Sequence, residues 1–199
     1  NLGANMTITG DLNINGVLQL NNKTLTLNGA ATRSINGTGT IDGAGGLVNV
    51  TTASKTILSS ADLTLNVDLT FANNIKLTNE GIIRCNGNML GLNSAAGLVN
   101  TTGASVSFAA DVFNTGSLTA TDPDNNVSYT GNSSQVVKAT IYDNLVITGA
   151  GLKTVVANFS VNNRIKLEAD ASLNAGTYII SGAGDLEMAS GALFQMQRG

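Results

Sequence analysis

Leu63-Thr64-Leu65-Asn66-Val67-Asp68-Leu69-Thr70-Phe71 decides the fold class. Apolar and polar residues alternate without a break, the period of two that turns one face of an extended chain inward and the other to solvent. The same alternation recurs at Met6-Thr7-Ile8, Leu12-Asn13-Ile14, Leu18-Gln19-Leu20 and Leu25-Thr26-Leu27, and again at Ile75-Lys76-Leu77, Phe159-Ser160-Val161 and Ile165-Lys166-Leu167. Each run is short and stops at Asn-Gly, Asn-Asn or a Gly-rich corner, where left-handed backbone angles are tolerated. No stretch carries the 3.6-residue period of a helix, so the chain reads as all-β.

Composition narrows the chemistry. The 199 residues include 23 Gly and one Pro, no His, no Trp and a single cysteine, Cys85. Without histidine there is no Ser-His-Asp or Cys-His site and no imidazole acid or base near neutral pH. One cysteine excludes an intramolecular disulfide and any multi-cysteine metal centre. Charged residues make up 12% of the chain and the net charge is −3, so the clustered basic surface that nucleic acid requires is missing. No apolar run approaches the roughly 18–20 residues that cross a bilayer, so membrane insertion is not expected. The beginning at Asn1 and the alternation that persists to Met196 read as a segment of something longer.

Three passages align, near 6–29, 63–87 and 154–182, at offsets of 57 and then 90 residues. Each has an apolar-x-apolar strand, an Asn/Gly corner, a second strand and a closing Gly. Closely spaced short strands with such corners predict one parallel β-helix over 1–199, right-handed, with roughly 20 residues per coil. That gives about nine or ten coils and a rod on the order of 45 Å long. Stacked Leu, Ile, Val and Ala would fill a core too narrow for Trp and most aromatics. An antiparallel β-sandwich is the competing architecture, and the corners alone do not exclude it.

The best-marked stretch is Val127-Ser128-Tyr129-Thr130-Gly131, Gln135-Val136-Val137, Tyr142-Asp143-Asn144-Leu145 and Gly149-Ala150-Gly151-Leu152-Lys153-Thr154. Val161-Asn162 and Tyr178-Ile179-Ile180-Ser181-Gly182 follow it. Together these resemble the repeat regions of very large secreted surface proteins of Bacteroidota, well over about 127–182 and more loosely over 6–100. The resemblance implies export by the type IX secretion system, an extracellular or cell-surface location, and a role as an adhesin, in some cases a gliding-motility adhesin. It is specific for architecture and lineage and says little about activity.

Several side chains invite a chemical reading. Asp122, Asp124 and Asn126 place oxygens at i, i+2 and i+4, the opening of a calcium loop. Val127 and Ser133 stand where such a loop needs Gly and Glu, and a polar turn stiffened by Pro123 explains the segment without metal. Arg164, Lys166, Glu168 and Asp170 alternate outward, as the base and ligands of a β-helix polysaccharide lyase would. Solvated cross-strand ion pairs look the same, and the equivalents Lys76 and Gln19 favour an outer polar ladder. Thr-x-Thr pairs at Thr7/Thr9, Thr24/Thr26, Thr38/Thr40 and Thr119/Thr121 raise ice binding, although spacings of 17, 14 and 81 do not make one flat array. Eight Asn-x-Ser/Thr triplets, beginning at Asn5, Asn22 and Asn36, exceed chance expectation of about five by too little to imply glycosylation. Cys85 reads as a small buried hydrophobe, and Tyr129, Tyr142 and Tyr178 stand too far apart for a sugar-stacking platform.

The expectation is therefore a non-enzymatic stalk or adhesive segment without a cofactor. Its partners would be adjacent repeats of the same long chain or a filament neighbour, with surface polysaccharide as a further candidate. Carbohydrate binding or cleavage and ice binding are the competing functions.

Overall fold

A computed structural model describes residues 1–197 as a parallel β-solenoid of about nine turns. Every strand pairing is parallel and joins residues about one coil apart: Met6 aligns with Leu25, Leu25 with Val48, Val48 with Leu69, and Leu69 with Met89. The described residues form no helix, and hence none long and apolar enough to cross a membrane. An antiparallel sandwich is thereby ruled out.

Each of the first five coils contributes one strand to each of three faces. The first face is a five-stranded sheet from Met6–Ile8 to Met89–Gly91, and the second a six-stranded sheet from Leu12–Asn13 to Ser117–Thr119. The third is a ten-stranded sheet running from Val17–Gln19 to Asp185–Met188, almost the whole molecule. From Gln135–Val137 onward a four-stranded sheet, ending at Leu193–Met196, takes the first face's place in the coil. Two longer strands, Ile141–Ile147 and Phe159–Leu167, turn the corner between second and third faces without stopping, with a β-bulge between Tyr142 and Asn144.

Inward side chains stack coil on coil. On the third face one column runs Leu18, Ile41, Leu65, Cys85, Phe108, Tyr129, Ile147 and Leu167. Cys85 is buried in it, as the alternation requires. The expectation of a core too narrow for most aromatics needs correction: Phe71, Phe108, Phe113, Tyr129, Tyr142 and Phe159 are all buried. Three of them have a small residue opposite in a neighbouring coil. Phe71 pairs with Gly91, Phe108 with Cys85, and Tyr142 with Ala120. The rings also meet one another, with centroids 5.5 to 5.7 Å apart in tilted or edge-on pairs, an arrangement worth more than its area alone.

The three aligned passages do not mark whole coils. The first begins on the first face at Met6–Ile8 and the second on the third face at Asp62–Leu65, while the third begins in the four-stranded sheet at Leu152–Val155. What recurs is a strand–corner–strand unit that fits any side of the coil. This explains why its offsets are unequal.

A seam interrupts the first face. In the sixth coil, residues 109–116 form no regular strand there; Val112 makes only an isolated bridge to Met89, and buried Phe113 adopts a φ of 46°. The backbone of this segment still bonds back to the fifth coil, through Met89 N–H to the Asp111 carbonyl (2.9 Å) and Phe113 N–H to the Met89 carbonyl (2.8 Å). On its forward side, side chains stand in for a strand. Gln135 Nε2 donates to the carbonyls of Phe108 (3.1 Å) and Ala110 (2.8 Å), and Lys138 Nζ donates to that of Phe113 (2.7 Å). Buried carbonyls need a donor, and the long polar side chains supply it.

Candidate functional site on the third face

The third face carries two largely polar columns whose outward positions stay in register over most of the rod. One outward column runs Asp62, Ile82, Ser105, Asn126, Asn144, Arg164 and Asp185. Its neighbour runs Thr64, Arg84, Ser107, Ser128, Val146, Lys166 and Glu187. Three ion pairs lie in or beside these columns: Arg84 with Asp62, Arg164 Nη1 with Glu187 Oε1 at 3.6 Å, and Lys166 Nζ with Glu168 Oε1 at 2.8 Å. Near the start of the face Gln19 Nε2 donates to Asp42 Oδ2 at 2.9 Å. That bond and the Gly43 N–H hold the Asp42 carboxyl below its ordinary range.

Toward the far end this face hollows into a polar groove of about 370 Å³, lined by Asp124, Asn126, Asn144, Asn163, Arg164, Asp185 and Glu187. Its rim at Asp124 is a tight turn with a φ of 59°, fixed by the Asp124 N–H donating to Asp143 Oδ2 at 2.8 Å. Asn144 Nδ2 donates to the Asn125 carbonyl and to Asp143 Oδ2, both at 2.9 Å, and Asn163 Nδ2 donates to Asn144 Oδ1 at 2.8 Å. Behind this floor the corner holds a buried asparagine ladder. Asn79 Nδ2 donates to Asn100 Oδ1 (2.7 Å), and Asn100 Nδ2 donates to the Asn126 carbonyl (3.3 Å). Asn125 Nδ2 donates to the Asp122 carbonyl (2.7 Å), while its Oδ1 is buried with no partner among the described residues.

The groove brings together residues singled out in the sequence for two different reasons, Asp124 and Asn126 from the calcium-like loop and Arg164 from the polar ladder. Asp122 is instead bound into its turn through the Asn125 contact, and Asn126 Nδ2 donates to the Asp124 carbonyl at 3.2 Å. Among the described residues no three acidic, histidine or cysteine side chains gather as a metal centre would need. Lys166 and Glu168 pair with each other at the groove's flank. Lys76 lies apart: it belongs to the second face, where it aligns with Gly97, and shares no column with Arg164 or Lys166. The Thr-x-Thr pairs are also dispersed, with Thr7 and Thr26 on the first face, Thr119 on the second and Thr40 on the third.

Five of the polar and aromatic residues that carry the resemblance are interior, while Tyr178 and Ile179 at its end are exposed. Tyr129, Tyr142 and Lys153 are fully buried, and Gln135 and Asn144 nearly so. The two tyrosine hydroxyls meet at 3.1 Å; Tyr129 also accepts the Lys138 N–H at 2.9 Å, and Tyr142 donates to the Lys138 carbonyl. Burial pushes the Tyr129 phenol up to about 12 and that of Tyr142 well above its ordinary value. Lys153 Nζ donates to the carbonyls of Gly131 (2.8 Å) and Gly151 (2.6 Å), and Lys55 Nζ does the same to Gly29 (2.6 Å) and Ala53 (2.8 Å). Desolvation lowers the pKa of both ammonium groups. In Gly149-Ala150-Gly151, Gly149 has a φ of 75° and a Cβ on Gly151 would overlap the Ser133 carbonyl. The buried lysines and Gln135 do not stand out in the sequence as structural groups, yet the alternation marks them: Lys55 shares its phase with Ile57, Lys153 with Val155, and Gln135 with Val137.

Chemically, the groove offers amide donors and acceptors, carboxylate acceptors and one guanidinium, spread over four successive coils. No protein family, curated protein or solved structure matches this chain.

Proposed function

We propose that this chain is a non-enzymatic stalk segment of a large extracellular bacterial surface protein, an adhesin or surface filament. The resemblance over 127–182 points to Bacteroidota and type IX export. One observation carries the reading: four residues of that resemblance, Tyr129, Gln135, Tyr142 and Lys153, lie in the interior, where they bond one coil to the next. A sequence so invested stiffens a rod in which each coil is held by its neighbours.

The partners that fit this reading are adjoining repeats of the same long chain or a filament neighbour, because the coils of a parallel solenoid stack on coils of their own kind. Surface polysaccharide is a further candidate, and a net charge of −3 disfavours nucleic acid.

The reading is tested on intact producing cells with antibody against this segment. Surface labelling that disappears on brief external proteolysis is expected, together with loss of attachment when the segment is deleted in frame. Antigen detected only after cell lysis would refute it.

A further inference from the structure

We infer that the third-face groove binds an uncharged polyhydroxylated polymer, a neutral glycan, laid parallel to the rod axis. This deepens the adhesive half of the proposed function by naming what the surface would hold, and it rests on that reading only for its biological setting.

The spacing along the groove suits such a polymer. Asn126, Asn144, Arg164 and Asp185 occupy one outward column in four consecutive coils. Strands stack about 4.8 Å apart, so the column spans roughly 14 Å; Asn126, Arg164 and Asp185 present polar groups along it, and the buried Asn144 braces the floor between them. A linear polymer with its own short repeat can meet such a column with one sugar ring per coil.

Donors and acceptors are balanced along the groove. Vicinal hydroxyls each donate and accept, and they are recognised by side chains that mix both roles in a fixed frame. Asn126 and Asn163 supply amides, Asp185 and Glu187 supply acceptors, and Arg164 supplies a planar fork of donors, while the amide of buried Asn144 is already spent on Asn125 and Asp143. Arg164 is only loosely engaged: its nearest carboxylate oxygen is 3.6 Å away, beyond hydrogen-bond length, and the side chain is 37% exposed. Asn144 and Asn163 are already locked by their mutual bond and by Asp143, so little ordering cost remains for them on binding.

Charge selects among polymers. Asp124, Asp185 and Glu187 face a single cation, Arg164, so the groove repels uronate or sulfated chains. A divalent cation lacks the three converging acidic ligands it would need among the described residues. No aromatic side chain lines the groove to stack on a sugar face, so one site binds weakly and adhesion depends on repetition along a long chain.

Affinity electrophoresis of the folded chain through gels containing laminarin, mannan or dextran, with alginate and polygalacturonate as anionic controls, tests the inference. At least one neutral polymer is expected to retard the protein, and the anionic ones are not. Arg164→Gln and Asp185→Asn should each weaken the retardation at least tenfold, and Lys76→Ala on the second face should leave it unchanged. Unaltered melting of the variants shows that folding is intact. No retardation by any neutral polymer, equal retardation of the groove variants, or stronger retardation by the uronates would overturn it. Surface labelling without glycan binding would remove the groove and keep the stalk; binding by a chain confined inside the cell would do the reverse.

Discussion

Replacing Gln135 by alanine isolates the seam. Gln135 is 4% exposed and makes three bonds at once, accepting the Gly131 N–H at 2.8 Å and donating to the carbonyls of Phe108 and Ala110. After truncation Phe108 keeps its bond from the Thr130 N–H. The buried Gly131 N–H and the Ala110 carbonyl lose the contact that satisfied them. An orphaned buried group costs about 1–3 kcal/mol, and the removed side-chain atoms leave a cavity besides. The expected loss is about 3 kcal/mol, which for a domain of this size lowers the Tm by roughly 6–12 °C. Urea denaturation followed by circular dichroism measures it, with hydrogen exchange locating the loosened amides at 108–116 and 131–137. Gln135→Met keeps the volume but not the bonds, and it should fall within about 1 kcal/mol of alanine, since hydrogen bonds dominate the cost. A loss below about 1 kcal/mol for alanine, or full recovery with methionine, would refute the account of the seam.

Further outcomes follow from the buried groups. Tyr129 and Tyr142 have raised folded-state pKa values, so their contribution is fully present below about 10, the unfolded value, and is lost as pH rises through about 12 for Tyr129. The depressed lysines act in the opposite sense in alkali, since their unfolded forms bind protons more readily. Alkaline unfolding with a midpoint between those two pH values, tracked by tyrosinate absorbance, is expected, and Tyr129→Phe should move it upward. The Cys85 thiol, wholly buried and with its pKa pushed up by desolvation, should resist a disulfide reagent in the native protein and react fully in denaturant; rapid native labelling would contradict the packing of the third-face column. Arg84→Ala removes an ion pair whose partners are each more than two-fifths exposed, and should cost less than about 1 kcal/mol by thermal melting.

The architecture was legible because a solenoid obeys one local rule many times. The run 63–71 alternates, and its inward residues Leu63, Leu65, Val67, Leu69 and Phe71 are all buried. Coil boundaries were harder, since the strand–corner–strand unit looks alike on every face, and the apparent repeats start on different sides. The seam at 109–116 was invisible for a different reason: the donors that replace its missing strand, Gln135 and Lys138, lie about 25 residues downstream. Of the groove, Asp124 and Asn126 could be picked out from the calcium-like loop and Arg164 from the outward alternation, but their meeting depends on coil register that alternation does not set. Lys76 illustrates the same limit, sharing the alternation of Lys166 while standing on another face.

The most direct test of the central claim is single-molecule extension of the folded chain held at its two ends. A stalk stabilised by neighbour-to-neighbour coil contacts should yield in successive events, each releasing about one coil of roughly 20 residues, or some 70 Å of extended chain. Extension in a single all-or-none event, or smooth lengthening without resistance from the start, would contradict it.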